Sequence, residues 1–244
     1  MGGQLAINAV LAGAHYGLIA LSFALVSRTA RFFHIAHGAV YTLAAYLVMS
    51  LIGSGLGVVP AAVTGFVGGG VVGCAMDLAV FRPLRRRGAS PEIHLLASFG
   101  LLVVLQNIVA LVWGDARQVL YARVAEPGLA LLGGRVTVPQ LAAVGLSLLA
   151  ASGIVVWSRM TFGGLVLRAV GDDPELSRVR GIRIEIAILS SFAVASGAMA
   201  LAGILQAIDT GLTPLMGFRA LLVAFVGAVL GGLDSAARAV MGGI

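Results

Sequence analysis

Residues Leu5 to Val26 read LAINAVLAGAHYGLIALSFALV, 22 positions without a charged side chain. At about 1.5 Å rise per residue such a run reaches across a hydrocarbon core roughly 30 Å thick. Six further stretches of 18 to 23 residues are likewise almost uncharged, with Asp77 and Arg219 their only charges: Ile35 to Ile52, Val58 to Val80, Ile93 to Trp113, Val138 to Trp157, Ile186 to Ile208 and Leu215 to Leu233. Each is read as a transmembrane helix. Composition agrees, because 59% of the 244 residues are hydrophobic and only 11% charged, against about 25% charged in a soluble domain. The expectation is an all-α, polytopic helical bundle of about seven spans in a lipid bilayer, forming one transmembrane domain over residues 1–244.

Only Met1, Gly2, Gly3 and Gln4 precede the first run, with no basic n-region. The run is also too long for a signal-peptide core, so it is expected to stay as a mature helix. All sixteen basic residues are arginine, giving a formal charge of +6. Without lysine there is no Walker A loop and no lysine Schiff base. Any ATP that drives this chain is therefore hydrolysed by another, and no cofactor of its own is expected. The single cysteine, Cys74, lies in an apolar run and forms no internal disulfide.

If all seven runs cross, one side holds Arg28, Arg31, Arg82, Arg85, Arg86, Arg87, Arg159, Arg168, Arg178, Arg180, Arg183 and Arg238, and the other Arg117, Arg123, Arg135 and Arg219. Twelve against four makes the first side cytoplasmic and the amino terminus external. The cluster Arg82-Pro83-Leu84-Arg85-Arg86-Arg87 is read as a topology anchor, with a lipid-headgroup or nucleic-acid patch as the alternative. Nucleic acid is not expected as a partner. The second run is the shortest and begins Phe33-His34-Ile35-Ala36-His37-Gly38, which marks it as complete or broken and re-entrant.

The 34 glycines are about twice the roughly 7% of soluble proteins. Gly65, Gly69 and Gly73 form one smooth stripe at four-residue spacing, and Gly227 and Gly231 another, which predicts helix packing faces.

Polar groups at membrane depth point to a site or a path. Here they are Asn8, His15, His37, Gln106, Asn107 and Gln206, with Asp77 and Arg219 near span ends where a charge reaches the interface. None forms a catalytic set. His34 and His37 have metal-compatible spacing but no third ligand, so hydrogen bonding between helices is the expected role and no metal site is expected. Glycine or proline beside polar groups at Ala36-His37-Gly38 and at Thr213-Pro214-Leu215-Met216-Gly217-Phe218 reads as a break in each helix. A half-helix starting inside the bilayer aims a positive dipole end at an anionic solute, while the plainer reading is an ordinary interfacial helix start. The path candidates are His37, Gly38, Gln106, Asn107, Gln206, Pro214 and Gly217.

The inner connection between the fifth and sixth runs reads Arg168-Ala169-Val170-Gly171-Asp172-Asp173-Pro174-Glu175-Leu176-Ser177-Arg178-Val179-Arg180-Gly181-Ile182. It encodes a short helix. Asp173 suits the N-cap, Pro174 the first helical position, Glu175 the dipole and Gly181 the left-handed terminus. Leu176 and Val179 share one face, too small to stabilise the helix alone, so a partner's groove is expected to receive it; a structured turn is the bland alternative.

Taken in order, these motifs resemble the permease subunits of high-affinity branched-chain amino acid ABC importers and the related urea permeases. The resemblance is carried by Tyr16-Gly17-Leu18-Ile19-Ala20-Leu21, His34-Ile35-Ala36-His37-Gly38, Phe81-Arg82-Pro83-Leu84-Arg85, Ser98-Phe99-Gly100, Leu105-Gln106-Asn107, the inner connection, Pro214-Leu215-Met216-Gly217-Phe218 and Ala228-Val229-Leu230-Gly231-Gly232. It departs from the family pattern at His34, at Ser177 and at Asp234-Ser235-Ala236-Ala237-Arg238, and the chain ends at Ile244 where the resemblance implies at least one further helix.

The resemblance implies a permease in the bacterial cytoplasmic (inner) membrane, paired with a second homologous permease subunit, two cytoplasmic ABC ATPase subunits and an extracytoplasmic solute-binding protein. It makes Arg168, Asp172, Asp173, Pro174, Glu175, Leu176, Val179, Gly181 and Ile182 the loop that receives the ATPase stroke. Leucine, isoleucine or valine is the implied cargo. Urea or a short amide remains the alternative within the family, and a stand-alone channel or ion-coupled carrier the alternative outside it. An intramembrane enzyme is not expected, since the spans offer no Ser-His dyad or carboxylate-held metal.

Overall fold

Arg31 ends the first helix and reverses the chain, adopting φ 60° where glycine is usual. The computed structural model describes residues 2–119, 128–131 and 134–231. The expected packing at Gly227 and Gly231, the arginines at 123 and 238, and the carboxy-terminal departure lie outside what is described.

Helix α1 (Gly2–Ala30) is followed by α2 (His37–Gly53) and α3 (Val58–Met76). A π-helical turn at Asp77–Phe81 leads from α3 into α4 (Arg82–Arg86), so one helical rod covers Val58–Arg86. Next come α5 (Pro91–Trp113) and an antiparallel hairpin of β1 (Leu129–Leu131) and β2 (Gly134–Val136), with Leu129 opposite Val136. Helices α6 (Val138–Met160), α7 (Phe162–Asp172), α8 (Pro174–Val179), α9 (Ile184–Thr210) and α10 (Met216–Gly231) complete the described chain. The protein is a helical transmembrane bundle, and the small hairpin is an addition that the apolar pattern did not announce.

Among the described residues five helices are long and apolar enough to cross a membrane: α1, the α3–α4 rod, α5, α6 and α9. Helix α2 has 17 residues and α10 has 16, which at 1.5 Å each is only about 25 Å. Helices α1 and α9 are mostly buried, whereas α3, α5 and α6 present most of their apolar side chains outward. The bundle is therefore built around α1, α2 and α9.

The glycine stripe of α3 lies against α9. An added Cβ at Gly65 would come within 3.0 Å of Ile204 Cδ1, at Gly69 within 3.1 Å of the Ser196 carbonyl oxygen, and at Gly73 within 2.9 Å of that of Phe192. Small residues thus let the two backbones approach closely, as expected for helices that cannot rely on a hydrophobic drive in lipid.

Candidate functional site

The chain between α1 and α2 does not stay at the surface. Phe32, His34, Ala36 and His37 are all buried. Ser98 on α5 holds this turn, its hydroxyl accepting from the Ala36 N–H at 2.8 Å and lying 3.2 Å from His34 Nδ1. His37 Nε2 lies 3.2 Å from Ser22 Oγ on α1, and that hydroxyl donates to the Ile19 carbonyl. Both histidines therefore tie segments together. The first amides of α2 are already engaged, His37 N–H to His34, Gly38 N–H to Ile35 and Ala39 N–H to Ala36.

The two helix breaks read from the sequence meet. A Cβ on Gly38 would stand 2.8 Å from the Gly217 carbonyl oxygen, and Gly217 N–H donates to Thr42 Oγ1 at 3.1 Å. The first turns of α2 and α10 thus cross backbone on backbone, with Pro214 buried beside them.

Two adjoining cavities open next to this crossing. One, of about 250 Å³, is bordered by Asn8, His15, Gln140, Ser147 and Asp209; the other, of about 290 Å³, by Tyr41, Arg117, Thr213 and Arg219. Tyr16 and Gln206 border both. His15 Nε2 and the Tyr41 hydroxyl, 3.0 Å apart, join their walls. Gln140 closes the capping box of α6 with Thr137 and also donates to Asp209 Oδ1 at 3.2 Å. The Arg117 guanidinium donates to the Thr210 carbonyl, and Gln118 exchanges two backbone hydrogen bonds with Leu212, so the loop after α5 is pinned to the end of α9.

The arginine-rich end has a second constellation. Asp173 Oδ1 accepts from Leu176 N–H at 3.0 Å, Pro174 begins α8, and Gly181 takes φ +81°. Leu176 is 49% exposed and Val179 85%, while Ser177 on the opposite face is buried. Helix α7, which the sequence reading left inside the connection, starts where Thr161 Oγ1 accepts from Gly164 N–H at 3.1 Å. Its far end is tied to α1: Arg28 pairs with Asp172 at 2.5 Å, and Arg31 donates to the carbonyls of Gly171 at 3.3 Å and Asp172 at 2.7 Å. Arg168 donates to the Arg159 carbonyl, and Ile182 N–H returns to the Ser177 carbonyl at 3.0 Å.

Asp77 has a partner that the sequence reading did not name. Its charge is met inside the protein: the side chain is fully buried and paired with Arg85 through bonds of 2.7 and 3.2 Å. Arg85 also reaches Glu185 on α9 at 3.0 Å. The helix continues past Asp77 because Arg85, two turns on, neutralises it inside the protein.

The path candidates therefore fall in three places. His37, Gly38, Pro214 and Gly217 gather at the crossing, and Gln206 borders the cavities. Gln106 and Asn107 sit apart on α5, where Asn107 is exposed and donates to the Val103 carbonyl. Sequence reasoning missed Gln140, Tyr41 and Asp209 as neighbours. Asp209 lies three residues after Gln206, a spacing that places both near one face of α9 and was the available signal.

The comparisons with known proteins agree with this architecture. The chain is 29% identical over 260 residues to the high-affinity branched-chain amino acid transport system permease protein LivH of Escherichia coli strain K12, covering 99% of this chain and 82% of the relative. It is 27% identical over 257 residues to LivH of Salmonella typhimurium, and 26% over 257 residues to the permease protein BraD of Pseudomonas aeruginosa, with the same coverage. The profile of the family described as branched-chain amino acid transport system / permease component matches residues 5–244, from the first apolar run onward; this chain belongs to that family.

Proposed function

We propose that the chain is the pore-forming permease subunit of an ABC importer that carries leucine, isoleucine and valine across the bacterial cytoplasmic (inner) membrane. Family membership over residues 5–244 carries the reading. In it a second homologous permease, two cytoplasmic ATPases that bind the ATP, and an extracytoplasmic binding protein complete the transporter. The amino terminus lies outside, by the twelve-to-four arginine count. The exposed Leu176–Val179 face of α8 docks into an ATPase groove; Arg28 and Arg31 relay its displacement to α1, and the short link from Arg180 to Arg183 carries it into α9. These ties support the assignment of residues 168–182 as the coupling loop, because a helix that transmits force must be fastened at both ends.

The test is reconstitution. The four-subunit complex in proteoliposomes, given loaded binding protein and ATP, is expected to accumulate radiolabelled leucine, whereas this chain alone neither hydrolyses ATP nor concentrates solute. Uptake of urea in place of leucine would move the reading to the related urea permeases. Accumulation by the single chain would replace it with a carrier.

A further inference from the structure

The paired cavities carry an inference that rests on the transport reading and deepens it. A branched-chain amino acid near neutral pH is a zwitterion, with an ammonium and a carboxylate on one carbon beside an apolar tail. Charges within a membrane protein face partners or a polar cavity, so a path for this solute needs groups of both signs. Asp209 borders one cavity and Arg219 the other. Gln206 and Thr210 border the cavity that Arg219 lines, while Asp209, on the same last turn of α9, borders the adjoining cavity that Gln206 also borders. Arg219 stands in the first turn of α10, where the positive dipole end adds to its own charge. Leu11, Val144 and Met216 supply apolar wall.

We propose that these cavities form a single binding site for an α-amino acid, with its carboxylate on Arg219, its ammonium on Asp209, and Tyr16 and Gln206 at the junction between the two. Asp209 keeps the partners it has, the Gln140 bond among them, since a carboxylate has lone pairs for several donors. Arg117, engaged with the Thr210 carbonyl, holds the rim in place.

The experiment uses the assembled importer in proteoliposomes, with Thr213→Cys at the cavity wall in a Cys74→Ser background and a membrane-impermeant thiol reagent outside. Leucine is expected to slow labelling about threefold or more once it exceeds twice its Kd. Isoamylamine, which lacks the carboxylate, and 4-methylpentanoate, which lacks the ammonium, are expected to leave the rate unchanged. Arg219→Gln should abolish the ratio of unprotected to leucine-protected labelling, each variant being measured against its own unprotected rate because the arginine also affects the thiol, while co-purification with the ATPases stays as before, and Arg219→Lys should restore part of the protection. In vesicles that take up leucine, equal protection by all three compounds, or none by leucine, overturns the site and leaves the transport reading standing. Vesicles of the unmutated importer that take up no branched-chain amino acid overturn both.

Discussion

Arg85 divides its guanidinium between Asp77 on its own rod and Glu185 on α9, at a depth where Asp77 has no exposed surface. Arg85→Ala would leave a buried carboxylate unpaired, which costs about 3 to 5 kcal/mol, whereas removing both charges is milder. The thermal unfolding midpoint in detergent is expected to fall sharply for Arg85→Ala and to recover in part for Asp77→Asn/Arg85→Gln. Glycines separate equally cleanly. Gly217→Ala would push a methyl into Thr42 Oγ1 at 2.6 Å and the Gly38 backbone, a clash of about 1 to 3 kcal/mol. Gly100→Ala, with open space around it, should be neutral or stabilising by up to about 1 kcal/mol, and the same melts compare them. The glycine stripe of α3 was legible because its spacing alone defines a face. The burial of Asp77 was not, because the helix that covers it and the second carboxylate on Arg85, Glu185, come from a hundred residues further on, and hydropathy marks a charge without showing whether it is paired.

Among elements, α8 tests the coupling assignment. Its geometry could be read from Asp173, Pro174 and Gly181 because capping is local chemistry within a few residues. Leu176→Asp is expected to weaken ATPase association by more than about 2 kcal/mol, over tenfold in affinity, while membrane insertion stays normal because α6 and α9 keep their apolar length. Co-purification and membrane fractionation check the two arms, and wild-type association would reduce α8 to a turn. Asp173→Ala, losing only a cap, should cost about 1 kcal/mol and leave a weakened but assembling complex. Helix α7 escaped prediction because it is short and begins at Thr161-Phe162-Gly163-Gly164, where glycines argue against a helix and only the threonine cap argues for one. The extent of α2 was equally hidden: the buried turn at 32–36 is fixed by Ser98, which comes from another helix.

For the whole molecule, reporter fusions after Arg87 and Arg183 are expected to read as cytoplasmic and one after Arg117 as external; an external reading at Arg183 would defeat both the orientation and the coupling assignment. The class of fold was plain in the apolar runs, since each long enough run has to be covered by lipid or by protein. The paired cavities were not, because His15 meets Tyr41 and Gln140 meets Asp209 only after four helices have packed. The crossing of α2 and α10 has a mechanical consequence. Interlocked side chains hold helices in register, and sliding past them means lifting each knob from its hole. Gly38 and Gly217 offer no knobs, so the crossing fixes how near the two helices lie but scarcely how they are rotated. The hydrogen bond from Gly217 to Thr42 is the only directional tie described at that point, which gives the joint the character of a low-friction bearing.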